Sequence, residues 1–163
     1  MKGFTHLAAG ALAGYALFSG SSPKTMLLTC GVSAIGSLLP DIDIGSSKIA
    51  GICRPAAFGI QLIFGHRGVF HSLLLWGGLA ATWYILAPNH LPWILAAGCG
   101  IGSHLLLDTL NPTGVPLLWP LSKRISLAKS RSGGLMDFLL GLLLTALFLY
   151  LFIPTVLARL GQW

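Results

Sequence analysis

Four carboxylates and five histidines carry most of the metal-binding and acid–base chemistry open to this 163-residue chain. The carboxylates are all aspartate: Asp41, Asp43, Asp108 and Asp137. The histidines are His6, His66, His71, His90 and His104. His104 and Asp108 stand four apart, the spacing that puts two side chains on one face of a helix, where they can grip one ion together. Asp41 and Asp43 flank Ile42, and in an extended loop both would project to the same side. His66 and His71 lie either side of Gly68 and meet only if the loop folds back, which that glycine permits. Imidazole and carboxylate without thiolate suit Zn²⁺, Mn²⁺ or Fe²⁺, and oxygen-rich sets lean to Mg²⁺ or Mn²⁺. The chemistry of such a set is hydrolysis, because water bound to the ion loses its proton near pH 7.

The candidate metal ligands are His6, Asp41, Asp43, His66, His71, His104, Asp108 and Asp137. They outnumber the three protein ligands and one water of a single catalytic zinc. The range is one to three ions, zinc first, and the preferred reading is a pair about 3.5–4 Å apart, as in many phosphoester hydrolases. Asp41, Asp43, His71 and Asp108 are the candidate catalytic residues. Arg67 is placed to grip a substrate phosphate in a bidentate contact. Ser72 and Asn111 would contact the substrate or orient the ligands.

Plainer roles exist for most of these residues. His6 near a helix end can be interfacial, and Asp41 and Asp43 after Pro40 can start a turn. His66-Arg67 can anchor headgroups, and Asp137 can favour a helix N-terminus. His104 and Asp108 are harder to dismiss, since two polar groups inside an apolar helix are costly unless they serve a function.

The elements that must position these residues are membrane helices. The chain is 55% hydrophobic and 9% charged, with a mean hydropathy of +0.82, whereas a soluble domain carries about 25% charged residues. Runs at 70–87, 91–110 and 135–158 approach or exceed the roughly 20 residues a spanning helix needs. Two shorter runs, 4–19 and 24–40, read as a hairpin turned by Gly20, Ser21, Ser22 and Pro23, and their glycine and alanine content suits close helix packing. Residues 41–69 read as a loop with a short interfacial or re-entrant helix around Ile60–Phe64. Residues 111–134 are too polar at their end to span. The expected fold is all-α: one integral membrane domain over residues 1–163, with about five transmembrane helices.

On five spans, all ten Lys and Arg except Lys24 and Arg159 fall on one side, so the positive-inside rule puts the N-terminus in the cytoplasm. The same placement, fixed without reference to His or Asp, brings every histidine and aspartate except His90 to the cytoplasmic helix ends. A net charge of +6 therefore reflects membrane topology. No basic stretch is interleaved with aromatics, which argues against nucleic acid as a partner. Cys30, Cys53 and Cys99 form no CxxC pair and imply neither a disulfide framework nor a thiolate site. Lys2 followed by an apolar run resembles a signal peptide, but the run is studded with Gly and Ala and holds His6, so a retained first helix is expected.

Four blocks resemble the YdjM family of bacterial inner-membrane proteins: Thr5-His6-Leu-Ala-Ala-Gly10, Leu39-Pro40-Asp41-Ile42-Asp43, His66-Arg67-Gly68-Val-Phe-His71-Ser72, and His104-Leu-Leu-Leu-Asp108-Thr-Leu-Asn111-Pro112-Thr-Gly114. The resemblance covers nearly the whole chain and implies a multi-pass inner-membrane protein of a family classed as metal-dependent hydrolases. The order of His, Asp, HxxxxH and HxxxD is similar, more loosely, to zinc-dependent phospholipase C, which implies a phospholipid substrate. Asp137 stands where the family has an acidic residue, there usually glutamate. The expected function is hydrolysis of an ester or phosphoester in a lipid or lipid-linked substrate. The alternatives are a metal-ion transporter, or a membrane protein that binds a regulatory partner through its basic 123–131 loop.

Overall fold

In a computed structural model of the protein, residues 1–43, 68–121, 123–128 and 130–160 are described, except the side chains of Asp43 and Leu160. Each of the five apolar runs forms a helix: α1 (Gly3–Phe18), α2 (Pro23–Gly36), α3 (Leu73–Leu86), α4 (Leu91–Asp108) and α5 (Leu135–Leu160). The described residues contain no strand, only an isolated antiparallel bridge between Val115 and Ile125. The expected helix around Ile60–Phe64 lies outside the described residues, as do Lys48, Cys53, Arg54 and Lys129.

Local chemistry sets the helix ends. Ser22 caps α2, its Oγ accepting from Thr25 N at 3.2 Å, and Pro23 takes the first position, where its missing N–H costs nothing. Ser72 caps α3 in the same way, accepting from Leu74 N at 3.2 Å. The run expected to be helical from residue 70 starts three residues later, because Val69–His71 form a 3₁₀ turn.

Among the described residues, three helical stretches are long and apolar enough to cross a membrane: Pro23–Ile42, Pro88–Asp108 and Leu135–Arg159, of 20, 21 and 25 residues. α1 and α3, of 16 and 14 residues, reach about 24 and 21 Å at 1.5 Å per residue, against a hydrocarbon core of about 30 Å.

The bundle is built on α1, which packs against α2, α4 and α5, while α2 packs against α4. Lipid supplies no hydrophobic drive between helices, so they associate where small residues let backbones close in. Here the seam is tight. A Cβ added to Gly10 would lie 2.7 Å from the Ser33 carbonyl oxygen, one on Gly36 would lie 2.9 Å from that of Ala97, and one on Gly100 would lie 1.9 Å from that of Ser33. At the end of the bundle away from His6, Tyr15 Oη meets Thr155 Oγ1 at 2.8 Å, and the Arg159 guanidinium donates to the carbonyls of Ser19 and Ser21.

The 109–134 connection folds back on its own first residues and on the start of α3. Leu127 N donates to Thr109 O at 2.7 Å, Ser130 N to Leu110 O at 3.0 Å and Leu73 N to Leu117 O at 2.8 Å. It thereby holds the start of α3 to the end of α4.

Candidate metal centre

The extended loop expected at Asp41 is instead a 3₁₀ helix, Leu39–Asp43, that carries α2 onward through Leu38 N→Ile35 O and Asp41 N→Leu38 O bonds. Proline's fixed φ suits this continuation at Pro40. A 3₁₀ helix has three residues per turn, so the backbone at Asp41 and Asp43 is not the extended one expected; the side chain of Asp43 lies outside the described residues. Asp41 is aimed instead at the end of α4.

There, His104 and Asp108 share one face, as their spacing predicts, and the 3₁₀ turn before α3 brings in His71. One ligand atom from each of Asp41, His71, His104 and Asp108 lies within 4.8 Å of all the others. His71 Nε2 is 3.7 Å from Asp41 Oδ1 and 3.6 Å from Asp108 Oδ2. His104 Nε2 is 3.5 Å from Asp41 Oδ1 and 3.7 Å from Asp108 Oδ2. Nitrogen and oxygen thus alternate around a common centre. His71, His104 and Asp108 are fully buried, and Asp41 keeps 15% of its side chain exposed.

The arrangement around His104 makes the chemistry specific. Its Nδ1 lies 2.6 Å from the Ser37 carbonyl oxygen. A carbonyl only accepts, so Nδ1 carries the proton and the neutral ring presents a lone pair at Nε2. That nitrogen is buried with no hydrogen-bond partner among the described residues, and carboxylate oxygens of Asp41 and Asp108 stand 3.5 and 3.7 Å from it. Lone pair against carboxylate is repulsive, and buried charge is costly when uncompensated. A divalent cation at the centre resolves both, and a backbone carbonyl orienting a ligating histidine is the usual outer shell of such a site. Tetrahedral zinc with bonds of about 2.0–2.1 Å needs ligand atoms about 3.3–3.4 Å apart; the four nitrogen–oxygen distances exceed that by a few tenths of an ångström, and all four donors lie within 4.8 Å of one another. The donors fit a metal.

Asp108 is held on its other side. Its Oδ1 accepts from Asn111 Nδ2 at 3.0 Å and from the Met1 amine at 2.6 Å, with His6 Nε2 3.4 Å away. His6 stacks on His104 with ring centroids 3.7 Å apart and borders the cluster of four. Asn111 is steadied in turn by Ser132, whose Oγ donates to its Oδ1 at 3.1 Å. Ser72, besides capping α3, donates to the carbonyls of Leu117 and Trp119 at 3.4 Å each. His90 lies in the α3–α4 connection and accepts from Trp83 Nε1 at 3.1 Å. Arg67, His66 and the side chain of Asp43 lie outside the described residues.

Asp137 is drawn to the same end of the bundle but spends its oxygens on protein donors. Oδ2 accepts from Lys2 N at 2.9 Å and Gly133 N at 2.7 Å, and Oδ1 from Thr5 Oγ1 at 2.7 Å. It ties the start of α1, and with it His6, to the start of α5. Asp137→Ala leaves three donors without their acceptor, and hydrogen bonds to a charged group contribute about 1.5–3 kcal/mol each. The expected result is a loss of about 3 kcal/mol or more, read as a lower melting temperature in detergent, with metal binding retained in the fraction that stays folded.

Reading by residue type missed the Ser37 carbonyl, since a backbone acceptor leaves no mark on composition. The available signal was register: Ser33 precedes Ser37 by four residues and Gly100 precedes His104 by four, a small-residue stripe leading straight to the site.

Comparison with known proteins bears on this geometry. The family described as YdjM inner membrane protein matches residues 1–161. The Inner membrane protein YdjM of Escherichia coli (strain K12) and that of Shigella flexneri are each 40% identical over 107 residues, covering 62% of this chain and 50% of theirs. The chain therefore spans about half the length of those two relatives. The Bacillus subtilis (strain 168) protein YvsG is 32% identical over 132 residues, 78% of either chain. No solved structure matches. With the family matched across nearly its full length, the chain belongs to the YdjM inner membrane protein family.

Proposed function

We propose that this protein is a membrane-embedded, metal-dependent hydrolase that cleaves an ester or phosphoester in a lipid or lipid-linked substrate. The observation that carries the reading is His104, whose Nδ1 proton is fixed by a carbonyl while its buried Nε2 faces two carboxylates. Zinc is the first choice of ion, with Mn²⁺, Fe²⁺ or Mg²⁺ as substitutes. Asp41, His71, His104 and Asp108 hold it, and Asn111 orients Asp108 from behind. A second ion would draw on His6, Asp43 and His66.

When bound, such an ion would supply activation of water near neutral pH and polarisation of the scissile bond. The chain's own residues do the rest. Asp41, the partly exposed member, stands at the opening and takes the proton that hydrolysis releases. Asp43 shares the 3₁₀ turn with it. Arg67 grips the substrate phosphate, and His71 and Asp108 shape the buried wall. The proposed topology has five spans in a single domain over residues 1–163, with the N-terminus and the centre on the cytoplasmic side of the inner membrane. A substrate anchored in the bilayer presents its headgroup at that depth. Transport is the weaker reading, because the donors gather at one end of the bundle and His90 at the other is engaged by Trp83.

Elemental analysis of the protein purified in detergent is expected to find at least one divalent ion per chain, and hydrolysis of a phospholipid or ester substrate to stop on chelation and return with zinc. Stability should follow occupancy, since a ligand at about 100 times its Kd stabilises the folded state by about 2.7 kcal/mol. EDTA is therefore expected to lower the melting temperature by several degrees, and added zinc to restore it. A melting curve indifferent to both would sink the metal centre.

A further inference from the structure

Between α3 and α4 runs an apolar groove of about 400 Å³ that plays no part in the metal centre; pockets that hold small ligands span about 300–1,000 Å³. Leu73, Trp76, Ala80 and Trp83 line it from α3, and Ile94 and Gly98 from α4. On α3 these positions recur at three- and four-residue steps, so the groove follows the helix axis. From Leu73 to Trp83 the rise is about 15 Å at 1.5 Å per residue, half of a hydrocarbon core of about 30 Å. That is the depth of one leaflet, the length over which a single acyl chain lies.

The groove's lining includes residues that stand next to the centre in sequence. Leu39 and Leu73 both line it; the first stands two residues before Asp41 and the second two after His71. Its glycines behave unlike those of the packing seam. A Cβ added to Gly77, Gly98 or Gly102 would meet nothing within 4 Å, whereas one on Gly100, in the same helix, would strike a carbonyl at 1.9 Å. Gly100 is needed to bring helices together, while its neighbours leave room. α3 itself buries no residue.

We propose that this groove holds one acyl chain of a phospholipid whose headgroup lies at the Asp41–His71–His104–Asp108 cluster. The inference rests on the lipid-hydrolase reading and adds to it the seat of the hydrocarbon. Gly98, about 9 Å along the axis from His104 at 1.5 Å per residue, sets how far the chain can reach, and a large side chain there closes the far half of the groove.

The test uses the whole protein in nanodiscs containing phosphatidylglycerol with a photoactivatable diazirine at the end of one acyl chain, and maps the labelled residues by mass spectrometry. The outward surface of α5, almost wholly unburied, reports labelling by bulk lipid. Trp83 and Ile94 are expected to be labelled well above α5, and in Gly98→Phe to fall to the α5 level while metal content stays unchanged. Gly102→Leu serves as a second plug should Gly98→Phe fail to fold. Groove labelling equal to α5 in the unaltered protein, or unaffected by either plug, overturns the proposal. Plug-sensitive labelling in a protein that hydrolyses no lipid sustains the acyl site and overturns the hydrolase reading. Hydrolysis without groove labelling does the reverse.

Discussion

His104→Ala and Asp108→Ala are each expected to leave the purified protein without its metal and without hydrolase activity. Both residues are fully buried and each supplies an atom to the four-donor cluster, so neither can be replaced by a shift of solvent or of a surface side chain. Losing a partner that merely orients a ligand costs about 10–100-fold in metal affinity, and removing the ligand itself should cost at least about 100-fold. Asp108→Asn separates charge from shape: it keeps the volume but removes the anion, so the metal should still be lost, while the buried Met1 ammonium loses its counter-charge and the melting temperature should fall with it. His90→Ala is the control, because His90 bonds to Trp83 outside the cluster, and it should keep full metal content. Elemental analysis of monodisperse protein decides the matter. Full occupancy in either alanine variant would show that the four side chains meet for another reason.

The second large effect falls on the fold. Gly100→Leu would push a side chain into the Ser33 carbonyl, where even a Cβ comes to 1.9 Å. The obstacle is backbone and cannot swing aside, so α4 must move off α2. Overpacking a core costs about 1–3 kcal/mol and sometimes more, and here the displaced helix also carries His104 and Asp108. Poor yield or a melting temperature lowered by many degrees is expected, with metal binding impaired even in what folds. Gly102→Leu, two residues on, meets open space and should melt like the unaltered protein. Equal stability of both variants would mean that the α2–α4 seam is not as close as described.

Much of this architecture can be read from residue types alone. Apolar runs punctuated by Ser22-Pro23, by Ser72 and by Pro88-Asn89 define helices, because lipid leaves the backbone no other way to satisfy its polar groups. The i,i+4 pair His104 and Asp108 needs only helical periodicity, and the gathering of aspartate and histidine at one end follows once the helices alternate in direction. Residues whose role depends on which neighbour arrives are less legible. Asp137 has the type and position of a ligand, yet the Lys2 and Gly133 amides and the Thr5 hydroxyl reach it, and no local pattern announces that. Asp41 and Asp43 alternate as an extended strand would, but the helical momentum of α2 winds them into a 3₁₀ turn. The lone pair of His104 acquires its direction from a main-chain oxygen sixty-seven positions away in sequence.

The uneven exposure of the four donors bears on how long an ion stays. His71, His104 and Asp108 are sealed from solvent, and Asp41 alone reaches the surface. An ion held there would leave by way of that aspartate, with the three buried donors letting go last. Residence would be governed by the slow opening of one doorway more than by equilibrium affinity, so a protein loaded in the cell would carry its cargo through purification, and a chelator in bulk solution would act only as fast as that doorway allows.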